Sequence, residues 1–67
     1  MKKFLVVFVD NSGYPEIDVS IVEGKTEEEV ITKVWENNHL DPNEVDEYDY
    51  YIDRIVELDP SSHLKFI

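Results

Sequence analysis

The feature that most limits how this chain can fold is the segment Lys3–Val9, KFLVVFV, which is apolar on both of its alternating faces. Side chains alternate across an extended strand, so one apolar set is Phe4, Val6 and Phe8 and the other is Leu5, Val7 and Val9. A strand with two apolar faces is typical of the interior of a sheet. A two-stranded hairpin has no interior strand, so this segment predicts a sheet of at least three strands.

The first two strands are predicted to form a hairpin. Residues 10–15, DNSGYP, are rich in turn-forming types, and Gly13 can supply a positive φ. The segment Glu16–Val22 then alternates between apolar and polar residues, which is typical of a half-buried strand. A loop of five or six residues would join the two strands. We expect Ile17, Val19 and Ile21 to face the core and Asp18 and Ser20 to face solvent.

A helix is predicted after Gly24, which ends the second strand. Thr26 followed by Glu29 forms a capping box, and the acidic first turn suits the positive end of the helix dipole. An apolar stripe at helical spacing consists of Val30, Ile31, Val34 and Trp35. We expect the helix to end at Asn37-Asn38, because Asn tolerates the left-handed conformation.

The segment after the helix fits two structures. Asp41 followed by Pro42 and Glu44 resembles a second helix start, so we expect a short helical turn near Pro42–Glu47. Residues 45–56 fit helical spacing but also contain strong β formers. We favour a strand from about Asp49 to Leu58, because it would give the central strand its second neighbour. Its apolar face would comprise Tyr50, Ile52, Val56 and Leu58, and the alternative is a hairpin with two helices.

The predicted fold is therefore a single α+β domain over residues 1–67, with β-β-α-β order and a three-stranded antiparallel sheet covered by one helix. One helix can cover only one face of the sheet. Either Leu5, Val7 and Val9 or the residues on the other face of the strand would therefore stay uncovered. The chain has no cysteine to stabilise so small a core. We expect a homodimer through the sheet face or edge, while the apolar tail of Leu64, Phe66 and Ile67 or a target are alternative covers.

The charge of the chain restricts its partners. It has 67 residues, 16 acidic and 6 basic, and a formal net charge of −10. Nucleic acid and anionic membranes would repel such a chain, whereas basic protein surfaces would attract it. No apolar run approaches the roughly 20 residues of a spanning helix, so we expect a cytoplasmic protein.

The densest acidic segment also carries tyrosines, which are frequent interface anchors. One interpretation is a solvated face in which several acids serve as local caps. The other is a phosphate-like array that fills the basic groove of a nucleic-acid-binding protein. Two of the three tyrosines in this segment could instead be core residues. The candidate partner-binding residues are Asp41, Glu44, Asp46, Glu47, Tyr48, Asp49, Tyr50 and Asp53.

No enzyme, cofactor or metal is predicted. The chain lacks cysteine, a G-x-S-x-G serine and a glycine-rich phosphate loop. Asp10, Ser12 and Glu16 only partly match a calcium loop, so a hairpin turn is favoured. His39 and His63 are far apart in sequence and do not form a zinc-binding pattern.

The chain resembles the small acidic proteins that bacteriophages and mobile elements make to disarm host enzymes. Its general features carry the resemblance: the hairpin KKFLVVFVDNSGYPEIDVSIVEG, the capped helix TEEEVITKVWENN and the acidic segment DPNEVDEYDYYIDRIVELD. Such proteins include DNA-mimic inhibitors of uracil-DNA glycosylase, anti-restriction proteins and anti-CRISPR proteins. The resemblance implies a viral inhibitor, often dimeric, that acts by binding in the host cytoplasm, and no functional residues are carried over from it.

Two hypotheses of function follow. The first is an inhibitory binding protein whose acidic surface blocks a basic nucleic-acid-binding site on a host enzyme or defence complex. The second is a structural or regulatory interaction module that binds through its apolar sheet face, without electrostatic mimicry.

Overall fold

The computed structural model describes residues 1–58 and contains three strands and one helix in the order β-β-α-β. The strands form one antiparallel sheet in the order β2-β1-β3, with β1 in the centre. The predicted α+β class, the element order and the third strand are confirmed. The tail of Leu64, Phe66 and Ile67, named above as a possible cover for the sheet, lies outside the described residues. The elements are β1 (Lys2–Asp10), β2 (Glu16–Gly24), α1 (Glu27–Asn37) and β3 (Tyr50–Leu58).

The hairpin of β1 and β2 keeps one register along its whole length. Lys2 pairs with Gly24 at one end and Asp10 pairs with Glu16 at the other. The loop begins at Asp10, whose Oδ1 accepts hydrogen bonds from Ser12 N at 3.0 Å and Ser12 Oγ at 2.6 Å. These bonds stabilise the ionised carboxylate, so they lower the pKa of Asp10 from its ordinary 3.8.

The core lies between one face of the sheet and α1. Val6 and Val30 are fully buried at 0% exposure. Phe8 meets the half-buried Trp35 edge to face, with ring centroids 5.5 Å apart and an interplanar angle of 85°. The buried cluster consists of Phe4, Val6, Phe8, Val30 and Val34, with Val22, Trp35, Leu40, Tyr50, Ile52 and Ile55 packed around it.

The apolar residues of β2 lie on the sheet face opposite to the one predicted. Ile17, Val19 and Ile21 are 70%, 57% and 60% exposed and lie away from the helix. Ser20, expected to face solvent, pairs with the buried Val6 on the helix side. Asp18 pairs with Phe8 on the helix side too, but it is exposed, as predicted. Alternation separates two faces but does not show which one the helix covers; the hairpin register decides that.

A β-bulge divides β3 into two halves. Val7 of β1 pairs with Arg54, but Phe8 pairs with Ile52, so Asp53 is an extra residue without a partner. Tyr50 and Ile52 lie on the helix side, as predicted. Val56 and Leu58 do not: Val56 pairs with Leu5 and Leu58 with Lys3, while Ile55 pairs with Val6 and packs against the core. The single predicted face was wrong because the extra residue reverses the alternation.

The N-terminus of α1 follows the predicted capping pattern with one difference. Thr26 is the N-cap, and its side chain accepts a hydrogen bond from Glu29 N at 3.2 Å. Glu29 reaches back to Lys25 N at 3.1 Å, one residue before the cap. Lys33 then joins the helix to β2, because its Nζ donates to the Glu23 carbonyl at 2.7 Å and lies 3.5 Å from Glu29 Oε1.

The C-terminus of α1 is closed by a Schellman motif. His39 N donates to Glu36 O and Leu40 N donates to Trp35 O, both at 3.0 Å. The residue with positive φ is His39, at 56°. The helix ends where predicted, but the reason was wrong: Asn38 has a φ of −93°, and the left-handed position falls one residue later.

The connection from α1 to β3 contains no further helix, but a single turn at residues 41–45 falls where a short helical turn was predicted near Pro42–Glu47. Asp41 Oδ1 accepts from Asn43 N at 2.9 Å, and Val45 N donates to Asp41 O at 3.2 Å. This hydrogen-bonded turn does not continue into a helix, because a second turn begins at Asp46. Asp side chains compete with the backbone for its N–H groups, which favours separate turns over a continuous helix.

The second turn repeats the first. Asp46 Oδ1 accepts from Tyr48 N at 2.9 Å, and Tyr50 N donates to Asp46 O at 3.1 Å. Asn11 N donates to Asp49 O, which joins the connection to the hairpin loop. These bonds fix the path of the acidic segment into β3.

Candidate protein-binding site

The helix contributes an acidic surface. Glu27, Glu28 and Glu36 are exposed, and the last turn of α1 contains no basic residue. Glu29 is partly engaged: the hydrogen bond from Lys25 N, with Lys33 nearby, lowers its pKa from the ordinary value. The helix therefore presents carboxylates at both of its ends.

The predicted acidic segment continues this surface beyond the helix. Asp41 and Asp46 are exposed, although one carboxylate oxygen of each accepts a hydrogen bond within its turn. Glu44 and Glu47 are exposed and have no such bond among the residues described. Tyr48 stands between the acids with 77% of its surface exposed. Most of the predicted residues are thus available to a partner.

Three of the predicted residues occupy different surroundings. Asp49 is half-buried beside the hairpin loop, with its carbonyl held by Asn11 N. Tyr50 packs against the core cluster, as the alternative interpretation of the tyrosines expected. Asp53 is exposed at the bulge of β3, apart from the turns. The turns around Asp41 and Asp46 therefore form the centre of the acidic segment.

A depression of about 410 Å³ lies where the helix meets this segment. Its apolar residues are Ile31, Trp35, Leu40 and Pro42, and its polar ones are Thr32, Glu36 and Asp41. This depression was not predicted from the sequence, although Leu40 and Pro42 continue the apolar stripe beyond the helix. An apolar floor with carboxylates beside it suits an Arg or Lys side chain, which has an apolar stem and a charged end.

The outer sheet face, opposite α1, has a different character. Its charged residues in the strand register are Lys3, Glu23 and Arg54. Its centre is apolar, and Val56 is 42% exposed there. The apolar residues of the outer sheet face, which pair across the three strands, are Leu5, Val7, Val9, Ile17, Val19, Ile21, Tyr51, Val56 and Leu58. Leu5, Val7 and Val9 lie on this face, opposite the helix, but Val9 is only 7% exposed and Leu5 and Val7 are half-buried, so the prediction that all three stay uncovered is wrong for Val9.

Neither a metal site nor a membrane-spanning helix is found in the part of the chain that the structure describes. Within residues 1–58, no group of three or more His, Asp or Glu side chains is placed to hold a metal ion. Over the same residues, no helix has the length and apolar character needed to cross a bilayer. His39 closes the helix C-terminus, which is a structural position.

No family model matches the chain, and no curated protein or solved structure matches it either.

Proposed function

We propose that this chain is a non-enzymatic binding protein whose helix and acidic segment attach to a basic surface of another protein. The observation that carries the proposal is the separation of charge. Seven of the twelve exposed carboxylates in residues 1–58 lie on α1 and the two turns after it, whereas the strand register of the outer sheet face contains Glu23 alone, with Asp53 beside it at the bulge. A charge excess used only for solubility has no reason to avoid one face.

The proposed target is a basic nucleic-acid-binding site on a host enzyme or defence complex. Such sites present Lys and Arg side chains that normally neutralise phosphates. The acidic segment offers carboxylates on a backbone fixed by the hydrogen bonds at Asp41 and Asp46. A fixed array loses little freedom on binding, so it competes well with a flexible nucleic acid. Occupation of the site would inhibit the target in the cytoplasm, as expected of a phage-encoded inhibitor.

The depression supplies a specific anchor for the same surface. Trp35 and Leu40 form part of its apolar wall, and Glu36 and Asp41 are its carboxylates. A guanidinium from the target could pair with a carboxylate while its stem covers the indole. Tyr48, 77% exposed, provides a second contact of large area.

The test begins with capture of the target from bacterial lysate on the immobilised protein. The captured protein is then purified, and its binding to nucleic acid is measured with and without this chain. We expect competition, and we expect affinity for this chain to fall as salt rises. A target that binds nucleic acid and this chain together, or a salt-independent affinity, would contradict the proposal.

Paired variants locate the surface. In the double variant Glu44→Gln, Glu47→Gln we expect the dissociation constant to rise by about 10-fold or more. The control Glu16→Gln, Glu23→Gln removes the same charge from β2, and we expect a change below about threefold. Equal losses in the two variants would indicate a response to net charge without a defined site.

A second function, an interaction module that uses the apolar face, is supported by the exposure of Ile17, Val19 and Ile21. Charge neutralisation at Glu44 and Glu47 would then leave capture unchanged. Substitution of Val19 by Lys would abolish capture instead.

A further inference from the structure

The outer sheet face is an apolar surface that the acidic site does not use. Ile17, Val19 and Ile21 are between 57% and 70% exposed, and Val56 is 42% exposed. Apolar patches of this size usually mark a contact surface. We infer that a second copy of this chain covers it, the two copies packing through their outer sheet faces.

The distribution of charge favours contact between two copies through this face over contact through their other faces. Each copy carries a net charge of −10, so two copies repel each other through their helix sides. With Asp53 counted at the adjoining bulge, the outer sheet face has two cations, Lys3 and Arg54, and two carboxylates among residues 1–58, so it is close to neutral and repulsion is weaker there than on the acidic helix side. Two identical chains can therefore approach here and keep their acidic surfaces on the outside.

The area of the face is sufficient for a weak dimer. Each strand has nine residues. With strands about 4.8 Å apart and a rise of about 3.3 Å per residue, the footprint of the face is about 400 Å². Two corrugated faces of this size bury roughly 1,000 Å² in total, near the lower limit of specific interfaces. We therefore expect dissociation in the micromolar range.

The geometry favours face packing over edge pairing. β2 is a long edge strand without a bulge, so it could also pair with the β2 of a second copy. Antiparallel pairing of that kind leaves both outer sheet faces on the same side of a six-stranded sheet, still uncovered. Packing face to face covers Ile17, Val19 and Ile21 of both copies in one contact.

The test is sedimentation equilibrium over a wide range of protein concentration. We expect the average mass to rise from 7.9 kDa towards twice that value. Higher salt should strengthen this self-association, because it screens the repulsion between two acidic chains. This is opposite to its expected effect on capture of a basic target, so failure of one proposal is distinguishable from failure of the other.

Two single variants identify the surface. Val19→Lys places an ammonium in the centre of the face, and we expect it to weaken the dimer by about 100-fold or more. Tyr14→Lys is the control, since Tyr14 is 92% exposed in the hairpin loop outside the face, and its effect should stay below about threefold. Both variants change exposed side chains, and circular dichroism checks that each remains folded.

Three results would overturn the inference. The first is a mass of one chain at every concentration, which would assign the face to residues 59–67 or to a different protein. The second is equal weakening by the two variants. The third is a set of Ile17, Val19 and Ile21 methyl signals in NMR that does not change on dilution while the average mass falls to that of one chain, which would place the contact elsewhere.

Discussion

At the scale of single residues, several acids have local structural tasks. Asp10, Asp41 and Asp46 each accept a hydrogen bond from the backbone N–H two residues later. Such bonds stabilise turns without any partner protein. Glu44 and Glu47 have no such bond among the described residues, so their charge is available for binding. The acidic count by itself therefore overstates how many carboxylates a partner could use.

Gly24 is required for the space around it. It is buried at the end of β2, and a Cβ atom there would lie 2.7 Å from Val30 Cγ2. Its φ is not positive, so conformation is not the reason for glycine. We expect Gly24→Ala to lower the free energy of unfolding by about 1–3 kcal/mol, because the helix must move away from the strand. Urea denaturation measures this change.

Two further variants separate crowding from other causes. A Cβ at Gly13 would meet nothing within 4 Å, so Gly13→Ala should change stability by no more than about 1 kcal/mol. Val30→Ala removes the atom that a Cβ at Gly24 would meet. In the double variant Gly24→Ala, Val30→Ala, the loss should be smaller than the sum of the two single losses. An additive double variant would contradict the crowding explanation.

At the scale of secondary-structure elements, the existence and order of the strands and the helix were predictable. The apolar run of β1, the capping pattern at Thr26 and the turn residues at 11–15 are all local signals. The face of each strand that the helix covers was predicted less well. Ile17, Val19 and Ile21 alternate with polar residues whether or not a helix lies above them, and the bulge at Asp53 is invisible to a simple alternation.

The assignment of faces can be tested with two identical substitutions. Val6 is fully buried against the helix, whereas Val19 is 57% exposed on the opposite face. We expect Val6→Ala to lower the free energy of unfolding by about 2–3 kcal/mol, from lost burial plus the cavity left behind. Val19→Ala should cost less than about 1 kcal/mol when measured at low protein concentration.

The concentration matters because a dimer would make Val19 part of a contact. Repeating the denaturation at high concentration should then increase the cost of Val19→Ala and leave that of Val6→Ala unchanged. If Val19→Ala is the more costly variant even at low concentration, the helix covers the other face and the described fold is wrong.

At the scale of the whole molecule, stability is opposed by repulsion between carboxylates. The net charge is −10, and in residues 1–58 two side-chain salt bridges are formed, Lys2–Glu57 and Lys33–Glu29. Most acids among the described residues therefore lack a salt-bridge partner, and the excess of negative charge disfavours the compact state. We expect the melting temperature to rise between about 0.1 M and about 1 M sodium chloride, as the Debye length falls from about 10 Å to about 3 Å.

The variant Glu44→Gln, Glu47→Gln serves as the matched comparison for this effect. It should melt at a higher temperature than the unmodified chain at low salt and gain less from added salt, because part of the repulsion is already absent. A melting temperature that falls with salt would mean that the salt bridges outweigh the repulsion.

The sequence by itself determined what depends on neighbouring residues: β1, the capped helix, the hairpin loop and the surplus of acidic charge. These follow from periodicity, caps and composition, which act over a few residues. Only the tertiary structure decided which sheet face α1 covers, where the bulge falls and which carboxylates share a surface. Those outcomes depend on strand register and on packing between residues distant in the chain. The depression beside Trp35 and the uncovered face around Val19 are both products of that packing.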